Sequence, residues 1–313
     1  MSAAVSTEKD ALKLRLPATS ANLGSGFDAV AVALDFFLEV DATPAAAFSI
    51  DATGRDAERC ARIKDNLILG VYERLLAENG RAVTPLDLRM RNEIPLGMGC
   101  GSSAAGRLAA ILLANHFGGL GWNDERILEE VAALEGHPDN ASACLLGGFV
   151  AASCAGRAVH VARVEPPADW RVIMALPPAP LATSKARAIL PEGYSRADAV
   201  ANIQAVSLLG LAFAQGRGDL LRAAMADRIH QPYREQICPM LPGVLPLAGA
   251  HGILGACLSG AGPAMLVIVS GEANLDGASA AIRRAVSGLA EPELLVCRFE
   301  TAGARVTLSD LHD

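Results

Sequence analysis

The chain has few aromatic residues, no basic excess, no paired cysteines and no long apolar run. Aromatics make up 4% of its 313 residues, and a core built mainly from Ala, Leu, Val and Gly suits helices packed on sheets. Lys and Arg number 27 against 34 Asp and Glu, for a formal net charge of −7. Without a basic face or a dense Lys/Arg run, nucleic acid is excluded as the expected partner. The seven cysteines, at 60, 100, 144, 154, 238, 257 and 297, are odd in number and include no C-x-x-C. That spacing excludes a disulfide framework or zinc site and leaves reduced, mostly buried thiols. The apolar stretches fall short of the roughly 18 residues needed to span a bilayer. The opening MSAAVSTEKDALKLRL has no apolar core of signal-peptide length, so a soluble cytoplasmic protein is expected, with no membrane partner.

What is present is enough apolar residue, 51%, to fill two modest domains, since single cores seldom grow past about 250–300 residues. Leu12, Leu14 and Leu16 alternate with Lys13 and Arg15, predicting a strand that Pro17 ends. Residues 19–26 read as a loop and 30–40 as a second strand. Residues 65–79 predict a helix capped by Asp65 or Asn66 and stopped by Gly80. "LDLRMRNEIP" alternates into a strand, and 103–116 and 124–135 read as helices, the latter with Asn123 as cap and Ile127, Leu128, Val131 and Leu134 as its stripe. "EGHPDNASACLLGGFVAA" reads as a polar turn and an apolar segment. "EPPAD" at 165–169 looks like a domain junction. Beyond it come a strand (WRVIMALP), helices at 196–215 and 217–230, a glycine turn into a strand near 257–271, a helix at 275–288 and a final strand at 293–300. Strands and helices in this order favour α+β in two domains over a regular βαβ array.

Between strand and helix stands "PLGMGCGSSAAG", with Gly97, Gly99 and Gly101 two apart. A glycine turn feeding a helix aims several backbone amides one way, and the helix dipole favours an anion there. No lysine follows, so this is not a Walker A loop. Gly99, Gly101 and Ala104 match G-x-G-x-x-G/A, but the acids about 20 residues on, Asp124 and Glu125, begin a helix rather than end a strand, which disfavours a nicotinamide dehydrogenase. A helix-start turn with no ligand is the bland alternative for the loop alone.

"PLGMGCGSSAA" resembles the P-x-G-x-G-L-G-S-S-A-A phosphate loop of the GHMP kinases, and "CLSGAGPAMLVI" at 257–268 resembles their C-terminal glycine motif. "PATSANLGSGFD" at 17–28, "EGHPDN" at 135–140, "TSKARAILP" at 183–191 and "QPYRE" at 231–235 are similar to motifs of the homoserine kinase branch. The matches run in family order from about residue 12 to 268. Cys100 stands where the pattern has Leu, Gly106 where Ser is common, Ala31 for Gly, and Ser25 for Pro or Gly; none of these removes a charge. The resemblance implies a ribosomal S5 domain 2-like N-terminal domain (1–165) and a ferredoxin-like C-terminal domain (166–313), with the ligands between them. It implies transfer of the γ-phosphoryl of ATP, with Mg²⁺, to the side-chain hydroxyl of L-homoserine, and a homodimer as assembly.

The residues can be read for that chemistry. The loop, Pro95, Leu96, Gly97, Met98, Gly99, Cys100, Gly101, Ser102, Ser103, Ala104 and Ala105, is the expected ATP cradle. Asn66 resembles an adenine-contacting position, though a helix cap explains it equally. Arg187 and Arg234 suit the substrate carboxylate, because a guanidinium pairs bidentately with it, and Thr183 can add a hydroxyl. Asp28 and Asp139 suit the ammonium, with Asn22 supplying an amide, and the family match draws His137 to the same pocket. Asn140 would orient the attacking hydroxyl, with Asp139 as base the alternative. By family analogy Glu129 is the Mg²⁺ carboxylate, with Glu130 its neighbouring alternative, and Ser102 the hydroxyl ligand, with Ser103 close behind. Two further readings stay open: another kinase of the superfamily, of mevalonate type, and a non-catalytic nucleotide-binding regulator. The acids facing an ammonium argue against mevalonate, which has no amine.

Overall fold

In the computed structural model, residues 11–309 are described; the first ten residues of the opening segment lie outside them. The first sheet starts with a hairpin, β1 (Ala11–Asn22) and β2 (Gly26–Pro44), and adds β3 (Ser49–Gly54) and β4 (Leu86–Asn92). Pro17 does not end β1: the strand absorbs it at a bulge between Pro17 and Ala18, where a missing N–H costs no ladder bond. The expected loop from Thr19 is therefore strand to Asn22 and a tight turn beyond it. After the short α1 (Ala57–Cys60) come α2 (Leu67–Glu78), α3 (Ser102–Gly118), α4 (Asp124–Glu135) and α5 (Asp139–Leu146). The sequence marks α5 only as an apolar segment; its eight residues are too few for a clear period. β5 (Phe149–Ala155) and β6 (Ala158–Val164) complete this layer. The sheet order is β11-β1-β2-β4-β3, with β5 on β2 and β6 on β5. Buried Ala105, Leu108, Ala109, Leu112 and Leu113 of α3 fill the interior between sheet and helices.

The second sheet starts at β7 (Trp170–Leu176). Two helices follow, α6 (Thr183–Ala188) and α7 (Arg196–Gln215). The helix expected at 217–230 is instead a 3₁₀ turn and the four-residue α8 (Leu221–Ala224); α9 (Gln231–Arg234) and α10 (Leu241–Val244) are equally short. Asp227 explains the break: its carboxylate accepts from the amides of Ile229, His230 and Gln231 and restarts the chain as a new turn. β8 (Ile253–Leu258), β9 (Met265–Ser270), α11 (Leu275–Ala285) and β10 (Glu293–Cys297) follow. The order β10-β7-β9-β8, all antiparallel, is the β-α-β-β-α-β ferredoxin-like arrangement. β7 alternates faces: Val172 and Met174 join the main core, Ile173 and Ala175 pack with Ile282 of α11.

One element departs from the expected division of the chain near residue 165. A strand absent from the sequence reading, β11 (Arg305–Ser309), returns to the first sheet and pairs antiparallel with β1, Ala11 opposite Ser309. α7 is also long and apolar enough, by length and composition, to cross a membrane. This corrects the expectation that no segment is, although its buried Asn202 bonds to Ser25 and Asp227 within the fold. All seven cysteines are free, five of them buried.

Candidate active site

A cleft of about 900 Å³ opens between the first layer and the loops of the second. The turn between β4 and α3 lines it. Gly97, Gly99 and Gly101 all have left-handed φ, 72°, 80° and 72°. A Cβ on Gly99 would sit 2.1 Å from the Ser259 carbonyl oxygen, and one on Gly101 1.9 Å from Thr19 Oγ1. The loop's carbonyls are tied down behind it. Ser259 Oγ donates to Gly99 O (2.7 Å), Thr19 N to Cys100 O (3.1 Å) and Leu181 N to Gly97 O (3.0 Å). In contrast to α2 and α4, which Asn66 and Asn123 cap, α3 has no side-chain cap and no acid in its first turn. Its leading amides are left for an anion.

Of the expected cradle, Leu96, Gly97, Gly99, Cys100, Gly101, Ser102, Ser103 and Ala104 line the cleft. Pro95 and Met98 do not; they line a smaller neighbouring cavity with Pro177, Pro178 and Pro180. Ala105 is fully buried in the main core. Burial pushes the Cys100 thiol up to about 12, so it serves as packing. Asn66 borders the cleft, but its amide is engaged as a cap: Oδ1 accepts from Ile68 N and Leu69 N, and Nδ2 donates to Cys60 O and Arg62 O.

Glu129 does not reach the loop. It pairs with Arg126 at 3.2 Å, and Glu130 pairs with Arg126 and Arg157. Glu135 is the carboxylate there, accepting from Ser103 Oγ at 3.0 Å and paired with Arg107. The reason is geometric: six residues earlier on α4 is roughly 9 Å back along the axis, so only the helix's last residue arrives. Ser102, Ser103 and Glu135 form a hard-oxygen donor set of the kind Mg²⁺ takes.

A second group of residues carries charge of both signs. Gly136 (φ 82°) stops α4, and Pro138 starts α5 so that Asp139 and Asn140 stand in its first turn. Asp139 is 1% exposed. Its Oδ1 accepts from His137 Nδ1 (2.5 Å) and Asn140 N (2.6 Å), whereas its Oδ2 is buried with no partner among the described residues. Burial pulls the His137 ring down, but the hydrogen bond and charge of Asp139 outweigh it and leave the ring raised. Thr19 Oγ1 donates to Asn140 Oδ1 at 2.7 Å, which turns the Asn140 Nδ2 toward Asp139.

Asp28 and Arg187 form a bidentate pair at 3.0 and 2.7 Å. That bond, stronger than the cost of burial, raises the Arg187 guanidinium further. Asn22 is engaged by its neighbours, accepting from Asp28 N and donating to Gly260 O. Thr183 lines the cleft from the exposed start of α6. Arg234 is 1% exposed and has no carboxylate partner among the described residues. It donates to Ala186 O, His230 Nδ1 and Gly260 O, all uncharged. Burial, and then Arg187 nearby, pull it below its ordinary value. His230 accepts at Nδ1 and so donates from Nε2 to Gly24 O (2.8 Å); burial pulls it down to about 4 and keeps it neutral.

Sequence reasoning missed Thr19, Glu135, His230 and Ser259. Each lies inside or beside a motif already quoted: "PATSANLGSGFD", "EGHPDN", the residue before "QPYRE", and "CLSGAGPAMLVI". Thr19, His230 and Ser259 act through other residues, and Glu135 through its place at the end of α4, none of which spacing alone reveals.

The chain matches the family models for the GHMP kinases N terminal domain at residues 66–148 and for the GHMP kinases C terminal at 211–288. It is 45% identical to a homoserine kinase of Solibacter usitatus over 255 residues, 81% of this chain and 84% of that one. It is 36% identical to a homoserine kinase of Synechocystis sp. over 296 residues, 93% and 97% of the two chains. The crystal structure of homoserine kinase from Cytophaga hutchinsonii superposes with a TM-score of 0.81 at 26% identity, covering 98% of this chain and all of that one. The chain belongs to the GHMP kinases.

Proposed function

We propose that the chain catalyses ATP-dependent phosphorylation of the side-chain hydroxyl of L-homoserine, giving O-phospho-L-homoserine. The similarity to homoserine kinases supports the reading. The observation that carries it is Arg234, a guanidinium buried at the cleft wall with no ion-pair partner among the described residues, in a cleft also lined by Asp139, whose Oδ2 has no donor among them. A zwitterionic amino acid answers both. Its carboxylate would neutralise the Arg187/Arg234 pair, and its ammonium would sit between Asp28 and Asp139.

The loop amides and the start of α3 would hold the terminal phosphates of ATP, replacing the absent lysine. Ser102 or Ser103 with Glu135 would hold Mg²⁺, which supplies charge neutralisation on the phosphates when bound. Phosphoryl transfer is loose in its transition state, so positioning and electrostatics supply most of the rate. Asn140 would orient the hydroxyl, its amide fixed by Thr19. No dedicated base is required, because the hydroxyl proton need not leave early. The expected setting is threonine biosynthesis in the cytoplasm.

ADP release with ATP and Mg²⁺ across homoserine, mevalonate, galactose and shikimate tests the substrate: homoserine should be the acceptor used, and its failure beside a working rival overturns the reading. Asp139→Asn tests the mechanism. A rise in KM for homoserine with kcat retained supports ammonium binding; a collapse of kcat at unchanged KM makes Asp139 the base.

A further inference from the structure

We propose that Arg107 is the fixed cation of the phosphate site, acting through Glu135 and Ser103 to turn away a free divalent cation and to admit one that arrives already bound to nucleotide. This rests on the functional reading above and deepens it at the metal end of the cleft.

The loop from 95 to 105 carries no lysine, yet a positive side chain reaches its end. Arg107 stands on α3, four residues after Ser103. A long side chain on a helix runs back toward the N-terminus and lies over the residue four earlier. Arg107 does so: its Nη1 donates to Ser103 Oγ and to Glu135 Oε1. The guanidinium is thereby carried to the first turn of α3, against the helix dipole, and Glu135 is the charge that answers it there. The Glu135 side chain is 8% exposed and that of Arg107 25%, so solvent screens the pair less than it screens a surface ion pair.

The carboxylate of Glu135 is already well occupied. Its Oε1 accepts from Ser103 Oγ at 3.0 Å and from Arg107, and its Oε2 lies 4.0 Å from His137 Nε2. Ser103 Oγ donates to the carboxylate and accepts from the guanidinium, which leaves it one lone pair. Ser103 and Glu135 line the cleft, whereas Arg107 is not among the lining residues. Arg107 is therefore a positioning residue, which holds the two oxygen donors and does not touch the ligand. The nearby Arg126, Glu129, Glu130 and Arg157 pair among themselves, which leaves Arg107 as the arginine on Glu135.

A fixed charge sorts its visitors by sign. A free Mg²⁺ at Glu135 would share a carboxylate with a guanidinium and be repelled by it. The Mg²⁺ complex of ATP carries net negative charge, and the same guanidinium, added to the leading amides of α3, attracts it. Arginine suits the task because it stays protonated at any working pH and its fork spans a hydroxyl and a carboxylate at once.

Mn²⁺ in place of Mg²⁺ gives a test by electron paramagnetic resonance, since the free-ion signal falls on binding. Arg107→Gln removes the charge and keeps an N–H donor. It should bind free Mn²⁺ at least tenfold more tightly than the wild type, and the Mn²⁺ complex of the β,γ-imido analogue of ATP more weakly. Adding Glu135→Gln should abolish the gain, which locates the ion at that carboxylate. Arg107→Lys keeps the charge and should keep the wild-type order. Should Arg107→Gln unfold, as judged by circular dichroism, Arg107→Met retains the aliphatic stem and should gain free Mn²⁺ in the same way. Free-ion affinity unchanged in the uncharged variant, or gained equally by Arg107→Lys, overturns the proposal while uptake of the metal–nucleotide complex keeps the functional reading. A chain that takes up no metal–nucleotide complex in any of these forms overturns that reading and the proposal with it.

Discussion

At the scale of single residues, His230 is the side chain whose chemistry reaches furthest from its place. It is not among the residues lining the cleft, yet its Nδ1 accepts from Arg234 and so sets the direction of that guanidinium. It does so only while neutral. Its folded value near 4 lies below the ordinary 6.5. The neutral ring therefore stabilises the fold fully above pH 6.5, and that stability is lost as pH falls from 6.5 toward 4. The difference corresponds to on the order of 3 kcal/mol. Gln can make both of its hydrogen bonds but does not titrate. His230→Gln should therefore narrow the gap in Tm between pH 7 and pH 5, and should raise KM for homoserine more than KM for ATP. An unchanged pH dependence of Tm would deny His230 this role.

At the scale of elements, the glycine loop depends on strand β1 behind it. Thr19 contributes its amide to Cys100 O and its hydroxyl to Asn140, so the same residue braces the phosphate turn and the hydroxyl-orienting amide. Gly101 is where the two crowd together. Gly101→Ala must strain a φ of 72° and displace Thr19 Oγ1, and the strain alone is about 1–2 kcal/mol. Turnover should fall by at least tenfold, and more than stability explains, as measured by kcat alongside Tm. α2, α3, α4 and α11 were legible in the sequence because caps, glycine stops and apolar periods agree there. α5 was not, since eight residues give no clear period. The helix assigned to 217–230 failed because Asp227 captures three amides that a helix would have used. At the site, motif and charge singled out Asp28, Asp139, Arg187 and Arg234, and these four do line one cleft. Analogy pointed to Glu129, but Glu135 is the glutamate that stands beside Ser103, because analogy supplies a residue type and not the distance along α4. The partnerships of Thr19 and His230 needed coordinates, since they join residues 121 and 206 positions apart to their acceptors.

At the scale of the whole molecule, the two sheets are joined by more than the connection near residue 165. Arg55, just after β3, pairs with Glu293 of β10, and Asp35 N donates to Arg298 O. The cleft between the layers is thus bounded by crossings that hold its walls in register. The most consequential crossing is β11 on β1, which joins residues nearly three hundred positions apart. An N-terminal piece such as 1–165 would present β1 as a bare edge, with backbone donors and acceptors unanswered. Expressed alone, it should aggregate or stay partly unfolded by amide exchange, whereas supplying residues 290–313 as a peptide should recover protection along β1.

That pairing also orders events in time. During synthesis the first layer is nearly all available while the second is still emerging, yet its outermost ladder has to wait for β11, which follows the whole of the second layer in the chain. Contacts of such separation are slow to form. Until β11 arrives, β1 is an unpaired edge of the first sheet.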